Sequence, residues 1–336
     1  MPIRQVDMDD NLRIWRNFSM GKLLDLVMLD TRNYDRSITS FSWNHKYVET
    51  IKDDASRTLM GSRQENWFYK QLSKSKDRGA VWRLVGNQII FSRIWSKTSI
   101  NTDQWDVWCH SFSHLRTECS WRWLEQKGYT ANRNRTLSHL YNNKISNTIF
   151  LSGDSHANWV SDLVWLGTKP YNKETGEGAI GVEFAGTSVT SGKPGGSIEA
   201  SNKKSAKLVK NNPELQWSEL YYRGYYELHV SPKEIIAQYF GGFFLAFVLF
   251  LVTSWKEQAN ALVGCPTVRT RNPLEISLAN FTVKAGENRL QRKVAGGIVE
   301  NGALQKGEVK QTNLTLNTET RSWSVTKGLE PMLIAY

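Results

Sequence analysis

The stretch TIFLSGDSHANWVSDLVW, residues 148–165, says most about this fold, because an apolar run leads directly into a glycine and two polar side chains. A short apolar run of this kind is typical of a buried β-strand. Gly153 permits a sharp backbone turn, so that the side chains of Asp154 and His156 can face one point. In open α/β sheets, reactive groups gather beyond the carboxyl ends of the strands. The pair is therefore a candidate functional site.

The Asp154–His156 pair has two explanations on the sequence alone. A carboxylate and an imidazole together suit a divalent or trivalent metal ion, and such ions polarise phosphoryl oxygens. The other explanation is structural: an aspartate that caps the turn, with a histidine packed beside it. Gly-Asp-x-His is a short motif, so both explanations stay open at this point.

The chain around this stretch alternates predicted strands and helices. The order strand, helix, strand indicates an α/β sheet that is at least partly parallel. The predicted elements are a strand at 22–32, a surface helix at 61–75, a strand-rich segment at 80–94, a helix at 132–144, a strand at 147–154, and a strand with a loop at 178–191. From Tyr221 onward, apolar and polar residues alternate, as in β-strands of which one face is exposed to solvent. The last two of these strands predict a hairpin that turns near Asn317.

Composition places the chain among folded globular proteins. It has 336 residues, of which 40% are hydrophobic and 22% charged, so it can bury a core and is not a disordered protein. Its three cysteines imply no disulfide framework. The formal net charge of +11 leaves open a nucleic-acid surface, an acidic membrane surface, or steering of an anionic substrate. Part of the positive charge lies in SNKKSAKLVK (201–210), which we expect to be a solvated loop.

Five stretches together resemble a known family. They are LDTRNYDRS (29–37), RTLMGSRQENWF (57–68), WRLVGNQIIFSRI (82–94), GDSHANWVSDLVW (153–165) and GVEFAGTSVTS (181–191). In this order they resemble the PhoD-like alkaline phosphatases, most closely the fungal members. The resemblance implies an α/β, metallophosphatase-type β-sandwich, in which two sheets pack face to face with flanking helices. It also implies metal-dependent hydrolysis of phosphate esters, of the alkaline phosphatase or phosphodiesterase type.

The resemblance assigns roles to single residues by motif match. Asp154 and His156 would be metal ligands, and the metals would be iron and calcium, as in the best-known bacterial members. No organic cofactor is implied. Arg32 would contact the substrate phosphate through its forked donors, although a structural salt bridge explains this residue equally well. Further candidates for lining the site are Asn87, Gln88, Thr187 and Ser188.

The chain departs from the family pattern at its beginning. The family's earlier metal motifs are not found, because the only Gly-Asp pair is at 153–154, and neither Asp9–Asp10 nor Asp53–Asp54 is followed by a histidine. We therefore expect residues 1–336 to be one partial domain, the C-terminal portion of the catalytic domain, with a sandwich that is incomplete at the N-terminus.

Two segments, 107–127 and 242–264, interrupt the pattern, and we expect both to be non-native inserts that come from retained introns. The first contains Cys109, His110, His114 and Cys119, which also allow a zinc site, but their spacing matches no common zinc motif. The second has a continuous apolar run of about ten residues, shorter than the roughly 20 that a transmembrane helix needs. We therefore expect no transmembrane anchor.

Three functions from different classes fit this sequence. The first is a metal-dependent phosphatase that acts on a phosphate-ester substrate. The second is a catalytically inactive fragment of such an enzyme, with a binding or structural role. The third is a basic nucleic-acid-binding protein, but the sequence shows no recognised binding module, so no specific nucleic acid is expected as a partner. The N-terminus has no signal-peptide pattern, and the sequence predicts neither compartment nor oligomeric state; a longer protein could be secreted or associated with a membrane.

Overall fold

Two β-sheets packed face to face organise the chain in a computed structural model. The structure describes residues 9–10, 13–38, 44–51, 53–95, 101–102, 129–153, 155–165, 167–188, 198–242, 274–292, 298–300, 303–306, 308–311, 314–317 and 322–325. The inserts expected at 107–127 and 242–264 lie outside these residues, apart from Gly242, and so do Asp154 and the four residues of the zinc alternative.

The helices and strands alternate along the first two thirds of the chain. In chain order the elements are β1 (Arg16–Met20), β2 (Leu24–Met28), α1 (His45–Ile51), α2 (Gly61–Asp77), β3 (Trp82–Gly86), β4 (Ile94–Trp95), β5 (Asn101–Thr102), α3 (Thr130–Asn142), β6 (Thr148–Ser152), β7 (Asn158–Leu163), β8 (Gly181–Ala185), α4 (Ile198–Asn211), β9 (Leu215–Glu219), β10 (Arg223–Val230), β11 (Glu234–Gly242), β12 (Leu274–Lys284), β13 (Ile298–Glu300), β14 (Ala303–Lys306), β15 (Glu308–Gln311), β16 (Leu314–Asn317) and β17 (Ser322–Val325).

The first sheet has a parallel centre. Its strand order is β1-β2-β3-β6-β8-β7-β9. The four neighbours β2, β3, β6 and β8 are parallel, whereas β1 and β7 are antiparallel to the strands that they pair with. The helices α2 and α3 connect β2 to β3 and β3 to β6, as parallel pairing requires. The predicted α/β sheet is therefore confirmed, and the carboxyl ends of four strands meet at one edge.

Alternation along the strands gives the first sheet two buried faces. Val27, Val85 and Phe150 pack with Phe68 of α2 and Leu137 of α3. Their neighbours along the chain face the other way, into a second core shared with the second sheet. The helices therefore cover one face of the first sheet, and the second sheet covers the other. This arrangement agrees with the sandwich that the resemblance implies.

The second sheet has the order β10-β11-β12-β15 and is antiparallel throughout. Ile235, Ala237 and Tyr239 of β11 and Phe281 of β12 are buried against the first sheet, and Trp217 of β9 packs on both Tyr239 and Phe281. The predicted hairpin is also present, because β16 and β17 pair in an antiparallel register.

One sequence-based prediction is wrong. The basic segment 201–210 is not a loop but most of helix α4. Ser201, Ser205, Leu208 and Val209 are buried at helical spacing, and the lysines between them lie mostly on the exposed side. Separately, no helix among the described residues is both long and apolar enough to cross a membrane.

Candidate functional site

The candidate site lies where the four parallel strands end. Backbone hydrogen bonds join these ends to one another: Leu29 N–H donates to Gly86 O (2.9 Å), Asn87 N–H to Leu151 O (2.8 Å), and Gly186 N–H to Ser152 O (2.9 Å). The segments that follow β2, β3, β6 and β8 therefore start side by side. Each motif that the sequence singled out, except RTLMGSRQENWF, has residues at this edge.

His156 lies in the turn between β6 and β7, at the middle of the edge. Its side chain is partly exposed and its φ is +56°, in the left-handed region that residues other than glycine rarely adopt. Hydrogen bonds hold the turn on both sides: Ser155 N–H donates to Gly153 O (2.8 Å), and Trp159 Nε1–H donates to Ser155 Oγ (2.7 Å). An unfavourable backbone conformation held by its surroundings is common at binding sites.

Asp30 shapes the turn that carries Arg32. Its carboxylate is 2% exposed, and Oδ1 accepts hydrogen bonds from the backbone N–H groups of Arg32 (3.1 Å) and Asn33 (3.0 Å). The backbone of Asp30 is held in turn by Gln64, whose Oε1 accepts from Asp30 N–H (2.7 Å) and whose Nε2 donates to Asp30 O (2.9 Å). The RTLMGSRQENWF motif thus acts on the site indirectly, through Gln64 on α2.

Asn87 and Gln88, suggested above as lining residues, lie at the edge but have their amides engaged. Gln88 Oε1 accepts from both the N–H (2.8 Å) and the hydroxyl (2.6 Å) of Thr31, and its Nε2 donates to Leu29 O (2.5 Å). Asn87 Oδ1 accepts from the same hydroxyl (3.1 Å), and its Nδ2 donates to Ile89 O. These side chains fasten the end of β2 to the end of β3, which fixes the shape of the edge.

Thr187, on the segment after β8, offers a hydroxyl to the site. Its N–H donates to Asn158 Oδ1 (2.9 Å), and Asn158 Nδ2 donates to Glu219 Oε2 (3.1 Å). Thr187 Oγ1 is buried and has no hydrogen-bond partner in the described part of the chain. A buried hydroxyl without a partner is costly, so this oxygen is a candidate contact for a ligand.

Glu183 is a supporting residue that the sequence analysis missed. This carboxylate of β8 is fully buried and accepts hydrogen bonds from Phe91 N–H (2.7 Å), Ser92 N–H (2.7 Å) and the Ser152 hydroxyl. It therefore holds the segment after β3 against β6 and β8, just below the edge. The pKa of Tyr226, a residue of the second sheet, is raised above its ordinary value by burial and, to a lesser extent, by the charge of Glu183. The feature of the sequence that could have identified Glu183 is that it is a single glutamate in an otherwise apolar strand.

Some side chains at this edge are of types that coordinate metal ions. Of the described side chains, the His156 imidazole and the Thr187 hydroxyl oxygen are ligand types that suit borderline or hard cations. Within the described ranges, no group of three or more His, Cys, Asp or Glu side chains comes together. Asp154 lies outside those ranges, so His156 is the proposed ligand that the structure places.

A groove of about 620 Å³ lies elsewhere, on the outer side of α3. Tyr69, Arg135, His139 and Trp165 are among its lining residues. His139 stacks on Tyr69 with ring centroids 4.7 Å apart, and Arg135 pairs with Glu65 at 2.6 Å. Arg135 and His139 are thus engaged within the protein, and none of the residues of the strand-end site lines the groove.

Comparisons with known proteins point to one family. The model of the PhoD-like phosphatase family matches residues 1–239. Alkaline phosphatase D of Bacillus subtilis (strain 168) is 29% identical over 317 residues, which are 93% of this chain and 44% of that protein. A solved structure of PhoD aligns with 90% of this chain and 48% of its own, with a TM-score of 0.58 and 23% identity, which supports the fold. The chain thus spans about half the length of these relatives.

Proposed function

The chain belongs to the PhoD-like phosphatase family, and on that premise we propose that it hydrolyses phosphate esters with bound metal ions at the edge where β2, β3, β6 and β8 end. The observation that carries the proposal is the position of His156. It follows a central parallel strand, has a left-handed backbone, and lies between the segments that begin with Asn87 and Gly186. Such a crevice is where α/β sheets bind ligands.

The residues at this edge have distinct proposed roles. The imidazole of His156 and the carboxylate of Asp154 would hold a metal ion, and iron and calcium are the ions we propose. Bound ions of this kind supply Lewis acidity toward phosphoryl oxygens. The guanidinium of Arg32 would bind two phosphate oxygens through parallel N–H groups, and the Thr187 hydroxyl would donate to a third. The positive charge of the chain would favour the approach of an anionic ester.

Metal content and hydrolysis test the proposal together. Purified protein is loaded with Fe³⁺ and Ca²⁺, dialysed and measured for bound metal, then assayed with para-nitrophenyl phosphate and bis(para-nitrophenyl) phosphate. We expect retained metal and hydrolysis of at least one ester. His156→Ala should lower the retained metal and reduce the rate of hydrolysis by more than about 10–100-fold, the usual cost of removing a residue that only hydrogen-bonds to a metal ligand.

His229→Ala is the matched control, because His229 lies on β10 and bonds to Gln238 Oε1 (3.1 Å), in the second sheet. It should leave metal content and rate unchanged. A protein that retains no metal and hydrolyses neither ester contradicts the proposal and favours the inactive alternative. Equal losses in both histidine variants would contradict the assigned role of His156.

A further inference from the structure

The side chain of Asn158, the first residue of β7, forms hydrogen bonds outside the backbone pairing of the strands. Asn158 is 1% exposed, and its Oδ1 accepts a hydrogen bond from Thr187 N–H (2.9 Å), on the segment after β8. Gly186, one residue earlier on that segment, donates its N–H to Ser152 O (2.9 Å) at the end of β6. Ser152 and Asn158 flank the turn that carries His156. Both sides of this turn therefore bind the same segment, which joins Thr187 to the turn.

Glu219, the last residue of β9, determines the orientation of the Asn158 amide. Its side chain is 1% exposed, and its Oε2 accepts a hydrogen bond from Asn158 Nδ2 (3.1 Å). Its Oε1 accepts from the N–H groups of Tyr221 and Tyr222, the latter at 2.7 Å. An ionised carboxylate only accepts hydrogen bonds, so Glu219 holds Nδ2 on its own side and leaves Oδ1 toward Thr187. A reversed amide would place an oxygen against the carboxylate and a second donor against Thr187 N–H.

The bond to Asn158 restricts the position of the Thr187 hydroxyl. Thr187 Oγ1 is buried and has no hydrogen-bond partner in the described part of the chain. Because a β-branched side chain has few χ1 rotamers, fixing the backbone of Thr187 leaves its hydroxyl few positions. The second sheet supports the same segment, since a Cβ at Gly186 would lie 3.0 Å from the ring of Tyr226. This contact does not involve Asn158, so the loss of the Asn158 side chain acts first on Thr187.

We propose that Asn158 is a positioning residue of the strand-end site, which holds the Thr187 hydroxyl beside the His156 turn for contact with a phosphate oxygen, and that Glu219 holds Asn158. The effect on ester binding rests on the function proposed above. The connection between the Thr187 segment and the turn rests on the hydrogen bonds alone. If the bond served only the stability of the fold, its loss would lower the free energy of unfolding and leave ester binding unchanged.

The first test uses the metal-free protein and requires no hydrolysis. Hydrogen exchange is followed by NMR at the N–H groups of Thr187 and Gly186. In Asn158→Ala, we expect the Thr187 N–H to exchange at least about tenfold faster, since it loses its acceptor, whereas the Gly186 N–H keeps its own. Unchanged exchange at Thr187 would overturn the proposal. A protein that hydrolyses neither ester contradicts the proposed function, and this exchange result still decides whether Asn158 holds the segment.

The second test measures ester binding in the metal-loaded protein, through the KM of the hydrolysed ester and the inhibition constant of inorganic phosphate. Asn158→Ala and Thr187→Val should each raise both constants about fivefold to tenfold, the value of one hydrogen bond, with unchanged metal content. Thr187→Ser keeps a hydroxyl and should raise them less. Because Asn158 acts through Thr187, combining Asn158→Ala with Thr187→Val should weaken binding no further than Thr187→Val alone. Multiplied effects in the combined variant would overturn the proposal.

The third test reverses the hydrogen-bonded pair. Asn158→Asp alone places two carboxylates against each other, and Glu219→Gln alone leaves one donor more than there are acceptors. Both substitutions together restore one donor and one acceptor, and they keep an acceptor for the N–H groups of Thr187 and Tyr222. We expect each single substitution to raise KM and the pair to recover most of the loss. A pair whose KM is raised as much as the product of the two single effects would contradict the assignment.

Asn147→Asp is the matched control, because Asn147 lies just before β6, at the opposite end of the first sheet. Its Oδ1 accepts from Gly286 N–H (2.6 Å), and its Nδ2 donates to Val81 O (2.9 Å). This substitution also removes a side-chain donor between neighbouring segments, so it should lower the free energy of unfolding in urea. It should leave KM and the Thr187 exchange rate unchanged. A KM raised as much in Asn147→Asp as in Asn158→Asp would show a general effect of stability and would overturn the proposal.

Discussion

Arg292→Ala removes the cation of a buried ion pair that joins two distant parts of the chain. Asp162, on β7, is fully buried, and Arg292 Nη2 lies 2.7 Å from its Oδ2. The same carboxylate accepts from Leu290 N–H (2.8 Å) and from the Tyr171 hydroxyl (2.8 Å). These bonds fasten the segment that follows β12 to the first sheet. Loss of the guanidinium leaves a buried carboxylate without its cation.

The expected cost is about 3–5 kcal/mol at pH 8, the usual range when one partner of a buried ion pair is removed. Burial raises the pKa of Asp162, and Arg292, the Leu290 amide and Tyr171 oppose this increase only in part. Removing Arg292 raises that pKa further. The folded variant then binds a proton that the unfolded chain releases above about pH 4. Its stability should therefore fall as pH rises from about 4 through the folded pKa.

Urea unfolding at pH 5 and pH 8 measures this effect. Arg289→Ala is the control, because Arg289 and Glu287 are 34% and 33% exposed, and such a surface pair is worth about 0–1 kcal/mol. Asp162→Asn combined with Arg292→Ala should recover much of the loss, since no buried charge remains. A cost below about 1 kcal/mol at pH 8 would refute the reasoning. So would a cost that is as large at pH 5 as at pH 8.

Three further predictions concern other parts of the fold. Gly178 and Gly167 both have a positive φ, but a Cβ at Gly178 would lie 1.9 Å from Pro170 O, whereas a Cβ at Gly167 would meet nothing within 4 Å. Gly178→Ala should therefore lower the free energy of unfolding by about 1–3 kcal/mol more than Gly167→Ala, as measured by urea unfolding. Burial raises the pKa of Asp25, but the hydrogen bonds and charge of Arg78 and the hydrogen bond from Ser19 bring it below its ordinary value. Stability should therefore fall as pH drops below about 4, and less so in Asp25→Asn. Glu183→Gln weakens charge-assisted bonds to two backbone N–H groups, so it should cost about 1.5–3 kcal/mol and lower ester hydrolysis. Glu199→Gln, at an exposed position of α4, should change neither.

Local patterns in the sequence were sufficient to predict the elements at the centre of the first sheet. The helical spacing at 61–75 and 132–144 corresponds to α2 and α3, and the apolar run before Gly153 corresponds to β6. β7 was not predicted as a strand, because Ser161 and Asp162 interrupt its apolar pattern. The buried charge of Asp162 is paired with Arg292, which lies 130 residues further along the chain. No local window contains both partners, so periodicity alone cannot find such a strand.

The helix at 201–210 was missed for a different reason. Its lysines dominate the composition, and its buried side is made partly of serines, which hydropathy counts as polar. Ser201 and Ser205 are buried because small side chains let a helix approach the sheet closely. Likewise, the positions of Asn87 and Gln88 were predicted, but the bonding of their amides to Thr31, Leu29 and Ile89 depends on how β2 and β3 pair.

The polar groups at the strand ends fall into two sets, and this separation supports a binding site more than any single motif does. Gln64, Gln88 and Glu183 bond to backbone groups or hydroxyls of neighbouring segments and so determine where those segments lie. In contrast, the Thr187 hydroxyl is buried without a partner in the described ranges, and the partly exposed His156 imidazole is held at the edge by its own strained turn. The first set pre-organises the edge, as a precise site requires. The second set consists of the side chains that we propose contact a ligand, and the first set determines where they lie.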